Sequence, residues 1–101
     1  MNIFENIGNH DYDAAIVENL LPLIDDVYGD HTSLVVNEYE FMDSINSREE
    51  YNDYLEGGDN DIPTYIASLL AKYGEEKFGG EWDYHWTEGS FIACNKEFEE
   101  N

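Results

Sequence analysis

Twenty-four Asp and Glu face only four Lys and Arg in this chain of 101 residues, a formal net charge of −20. No other feature limits the fold as much, because most carboxylates have no cation within the chain to pair with. The imbalance is steepest in the first part. Sixteen acids and one base, Arg48, lie between Met1 and Ala71, while the three lysines fall between Lys72 and Lys96. Within "EEYNDYLEGGDND", residues 49–61, six of thirteen residues are acidic and none is basic. Such a field costs stability through self-repulsion, favours solubility and speeds encounter with basic partners. It repels nucleic acid and anionic membrane, which excludes direct DNA or RNA binding.

The chain is nevertheless built to fold. Its hydrophobic share of 42% and aromatic share of 15% are too high for a disordered acidic tail. Its length suits one domain, residues 1–101, with a modest core. The single Cys94 rules out an internal disulfide and fits a reducing compartment. The opening "MNIFENIGNHDYD" has no basic region and no long apolar run, and no stretch approaches a membrane span. A soluble cytoplasmic protein without contact to membrane is the expectation.

Hydrophobic spacing predicts an α+β fold, with three or so helices packed on a small antiparallel sheet ending in a β-hairpin. Phe4 and Ile7 are expected to dock on the core. Ile16, Val17, Leu20, Leu21, Ile24, Val27 and Tyr28 repeat at helical spacing, with Asp11 or Asp13 as cap, Pro22 as a kink or a break into two short helices, and Gly29 as the end. The β-branched and aromatic run 33–41 predicts a strand with Val35, Tyr39 and Phe41 on one face and Glu38 and Glu40 on the wet face. Ser47-Arg48-Glu49-Glu50 matches a capping box, opening a helix that Gly57 and Gly58 stop. On it Tyr51, Tyr54 and Leu55 share one side, and Glu49, Asp53 and Glu56 the other. From Asp61 and Pro63 a longer helix carries Ile62, Tyr65, Ile66, Leu69, Leu70 and Tyr73 at core spacing. In the C-terminal segment Trp82, Tyr84 and Trp86 alternate with Asp83 and His85, and Glu88-Gly89 can turn the chain. That hairpin sets Trp86 opposite Phe91 and Tyr84 opposite Ala93, with the tryptophans as packing residues.

Chemical motifs are absent. "DNDIPTYIASLL" and "DYDAAIVENLL" begin acidically but lack the glycine and glutamate of an EF-hand loop. His10, His31, His85 and Cys94 match no zinc spacing, though Asp83, His85 and Glu88 are candidates to meet at one metal; an exposed histidine on the hairpin is the simpler reading. Neither a nucleophile elbow nor a phosphate-cradling loop occurs. No catalytic residue, metal ligand or cofactor is assigned.

What remains is a patterned acidic surface. Carboxylates three or four apart on a helix lie about 5–6 Å from one another, near the phosphate spacing along a nucleic-acid strand, one charge per roughly 3.4 Å of rise. Glu49, Glu50, Asp53 and Glu56, continued by Asp59 and Asp61, form one candidate row. Asp25, Asp26 and Asp30, and then Glu38, Glu40 and Asp43, supply neighbouring rows, with Tyr51 and Tyr54 as aromatic anchors.

In size and charge the whole chain resembles the DNA-mimic inhibitors of phages and plasmids, including anti-restriction and anti-CRISPR proteins. Those proteins share a trait rather than a motif, so no residue is carried over from them. The resemblance implies a non-enzymatic inhibitor, monomer or homodimer, whose acidic surface occupies the nucleic-acid-binding site of a basic host defence complex such as a CRISPR effector or restriction enzyme. The alternative is an immunity protein or antitoxin that plugs a basic nuclease toxin through a compact patch. A small enzyme or calcium module is the third possibility. A halophile's solvated surface is also acidic, but ten Asn and eight Ile with one Arg fit that adaptation poorly.

Overall fold

A computed structural model of the chain describes residues 10–58, 61–87 and 89–98. Among them, four α-helices pack on a four-stranded antiparallel sheet: α1 (His10–Leu20), β1 (Asp25–Asp26), β2 (Ser33–Asn37), α2 (Glu38–Ser44), α3 (Arg48–Glu56), α4 (Asp61–Phe78), β3 (Trp82–Thr87) and β4 (Ser90–Asn95). The strand order is β1-β2-β4-β3, so the C-terminal hairpin inserts β4 between β3 and β2. The expected α+β class and hairpin are therefore observed. Trp86 pairs with Phe91 and Tyr84 with Ala93, as the alternation of aromatic and polar residues implies.

The longest helix, α4, carries the pattern that specifies it most clearly. Ile62, Ile66, Leu69 and Leu70 are buried, and the helix lies across β3 and β4. Opposite it the sheet contributes Leu34, Val36, Phe91, Ala93 and Trp82, and these side chains join Ile16, Leu20, Phe41, Met42 and Tyr51 in one core. Burying each large apolar side chain contributes about 1.5–3 kcal/mol. Gly74 lets α4 approach the sheet: a Cβ there would sit 2.7 Å from the Trp82 ring. The indole N–H of Trp82 donates to the Gly79 carbonyl at 2.9 Å, fixing the ring over that glycine.

Three expectations need correction. Of the two outcomes expected at Pro22 the break is the one observed, but the second piece is shorter than the spacing implies: the first helix stops at Leu20, residues Leu21–Leu23 form one 3-10 turn, and Ile24 is extended. Proline lacks the N–H that continuation requires, and the freed chain supplies β1, where Asp25 pairs with Val35. Val27 and Tyr28 consequently lie at the surface, Tyr28 at 73% exposure. Second, β2 ends at Asn37, and its inward residues are Leu34 and Val36, not Val35. Tyr39 and Phe41 belong to α2, because the Asn37 side chain accepts the N–H groups of Tyr39 and Glu40 at 3.0 and 2.9 Å and caps a new helix. Third, Ser47 stands at the head of α3 without a side-chain cap: its hydroxyl donates to Ile45 O at 3.2 Å. The expectations for Phe4, Ile7, Asp59 and Glu88 fall outside the described residues.

Candidate functional site

The switch from β2 to α2 at Asn37 decides where the central acidic residues go. Glu38, the first residue of α2, is 0% exposed, and its carboxylate receives three donors. Oε2 accepts from the Tyr51 hydroxyl of α3 and, at 2.8 Å, from the Trp86 indole of β3. Oε1 accepts the Gly89 N–H at 2.6 Å, while the Glu38 N–H donates to Gly89 O at 3.0 Å. One side chain thus ties α2, α3 and the hairpin tip together, and a buried charge is tolerated because hydrogen bonds satisfy it. Burial first, then the hydrogen bond to and the charge of Glu38, push the Tyr51 hydroxyl well above the usual phenol range. Glu38 does not face water, and neither it nor fully buried Tyr51 belongs to the acidic surface. The signal that marks this change is "NEYE": Asn with Glu three residues on is an N-cap pattern.

The remaining α2 and α3 acids divide as the helical spacing implies. Glu40, Asp43, Glu49, Glu50, Asp53 and Glu56 are exposed, while Tyr54 and Leu55 are half-buried beneath them. Glu49, Asp53 and Glu56 occupy one stripe of α3, with Glu50 beside it. Arg48 is the cation of this region. It reaches Asp43 at 3.2 Å and stacks over the Tyr39 ring, 4.9 Å from the centroid. Among the described residues no ion pair involves Glu40, Glu49, Glu50, Asp53 or Glu56. Exposed Asp61 begins α4 and extends the acidic surface past Gly58.

Asp25 and Asp26 of β1 and Asp30 of the turn after it sit apart from this group, at the sheet edge next to β2, and Asp26 and Asp30 shape that turn. Asp26 accepts from the His31 backbone at 3.1 Å and meets its Nδ1 at 2.5 Å. Asp30 accepts from the Thr32 N–H at 3.2 Å and hydroxyl at 2.5 Å. Asp25 is exposed. Asp13 of α1 also has a structural partner, receiving the Tyr65 hydroxyl at 2.6 Å. That bond, reinforced by burial, pushes the Tyr65 hydroxyl up to about 12.

Two grooves are lined by the described residues. A groove of about 260 Å³ between α1 and α4 is bordered by Asp13, Val17, Lys72, Tyr73 and Glu76. Another of about 250 Å³ lies by His31 and Phe78. Both are below the roughly 300–1,000 Å³ of small-molecule pockets. Among the described residues no trio of His, Cys, Asp or Glu is placed to hold a metal ion, and no helix is long and apolar enough to cross a membrane. Comparison of the chain with protein-family models, curated proteins and solved structures finds no match.

Proposed function

We propose that this chain is a non-enzymatic inhibitor that acts as a DNA mimic. Its acidic surface would fill the nucleic-acid-binding site of a basic host defence complex, a CRISPR effector or restriction enzyme. One observation carries the reading: Glu40 and Asp43 of α2 and the four carboxylates of α3 stand exposed in rows at helical spacing, with one arginine among them. Rows so placed imitate the phosphate spacing to which a nucleic-acid channel is matched.

A second reading, an immunity protein for a basic nuclease toxin, draws on the compactness of the α2–α3 group and on Tyr54 beneath its carboxylates. The two differ in how affinity is distributed. A tagged chain used to capture its target from host lysate should release that target to excess duplex DNA. The triple variant Glu49→Gln, Asp53→Gln, Glu56→Gln should weaken binding and flatten its salt dependence by about one unit of slope per lost charge. Saturating protein that leaves DNA on the target would refute steric mimicry. Loss of nearly all affinity through two or three positions would favour the immunity reading.

A further inference from the structure

Away from the acidic helices, the sheet ends in β3, which pairs only with β4 among the described residues. The bonding pattern tells which backbone groups of this edge are left over. Asn95 N–H goes to Thr32 O and Lys96 N–H to Glu81 O, so successive residues of β4 bond alternately to β2 and to β3. Asp83, His85 and Thr87 therefore spend their backbone groups on β4, and those of Trp82, Tyr84 and Trp86 point out from the sheet. The Trp82 N–H is held by Glu75 Oε1 at 3.4 Å, a long bond that is readily exchanged.

Soluble proteins blunt such an edge with charges, prolines or bulges. β3 has no proline, and its single carboxylate, Asp83, is met by Lys96 at 3.8 Å. Tyr84 at its centre is 45% exposed. We infer that β3 is a homodimerisation edge, pairing antiparallel with β3 of a second copy about a two-fold axis at Tyr84. This register is self-complementary. Tyr84 pairs with the partner's Tyr84 and Trp82 with the partner's Trp86, so every outward backbone group of the strand gains a mate. On the outer face Asp83 falls opposite the partner's His85 in the closer, non-hydrogen-bonded type of pair, a carboxylate facing an imidazole N–H. A second copy is favoured over a basic target because the strand's own carboxylate, Asp83, is met by Lys96 and the neighbouring Glu75 carboxylate is turned onto the Trp82 N–H, so two chains of charge −20 meet here with less charge between them than at the acidic helices. The two associations respond oppositely to salt: screening strengthens this dimer and weakens capture of a basic partner.

Sedimentation equilibrium of the full chain, from micromolar to millimolar and at low and high salt, tests the inference. A monomer–dimer equilibrium that tightens with salt is expected. Tyr84→Pro removes an outward N–H without touching the β4 ladder and should weaken association about tenfold to hundredfold, with far-ultraviolet circular dichroism unchanged. His85→Glu, an exposed change, should weaken it at low salt and recover as salt rises. A monomer under every condition would overturn the inference, as would a dimer indifferent to both variants. Slow exchange of the Tyr84 and Trp86 amides in dilute monomer would also overturn it, since the chain's own residues would then cover the edge.

Discussion

Glu38 and Glu40 are separated by one tyrosine and sit on the same first turn of α2, yet they meet opposite environments. Glu38 is enclosed by Tyr51, Trp86 and Gly89 and bonded by all three; Glu40 is exposed and has no ion pair among the described residues. Both lie near a helix N-terminus, where a negative charge is favoured, so the helix end does not distinguish them. The difference comes from what packs above. The hairpin tip folds over position 38, while position 40 turns outward by two helical steps. A carboxylate in so acidic a chain is thus structural where neutral donors converge on it, and part of the charged surface where none do.

The largest effect should separate these two residues. Glu38→Ala leaves a hydroxyl, an indole N–H and a backbone N–H without their acceptor and should cost about 3–5 kcal/mol in urea unfolding. Glu38→Gln should cost less, since one oxygen remains, but sets an amide N–H against that of Gly89. Glu40→Gln should stay within about 0.5 kcal/mol. Equal losses for the two glutamine variants would break the contrast. A smaller effect belongs to Asn37, whose cap turns the chain from strand to helix and so gives the two glutamates different neighbours. Asn37→Ala should cost about 1 kcal/mol and Asn37→Asp close to none, read from the same unfolding curves.

The smallest concerns a part-buried pair, Tyr65 donating to Asp13. The Tyr65 hydroxyl is raised from 10.0 to about 12 in the folded state. Its stabilisation is complete below pH 10 and is lost as pH rises through about 12. Thermal unfolding followed across that window should fall less steeply for Tyr65→Phe than for the parent; parallel curves would show that the bond contributes nothing in solution.

How far residues alone reveal this molecule depends on whether the deciding contact is local. The α4 helix and the pairing of Trp86 with Phe91 were legible because period and turn lie within a few residues. So was the division of α3 into an apolar and an acidic side. The end of the first helix was legible only in part: Pro22 marked a break, but β1 exists because Asp25 and Asp26 find Val35 and Leu34 across a turn. The burial of Glu38 was hidden by its setting. A β-branched, aromatic run dominates residues 33–41, and the donors that make the carboxylate acceptable come from 13, 48 and 51 residues further along. Gly74 was equally silent, since its meaning depends on the Trp82 ring.

The bonds between Glu38 and Gly89 also impose an order on folding. Their 51-residue separation closes a long loop, and the entropy of that closure must be met before either group gains anything. Until the β2–β4 ladder, which pairs Asn37 with Ser90, brings the hairpin tip over, the Glu38 carboxylate keeps its water, so its dehydration cannot precede that pairing. A contact absent from the transition state would make Glu38→Ala speed unfolding more than it slows refolding in stopped-flow measurements. In a chain that its surface charge pushes open, Glu38 would then be the latch on its lifetime.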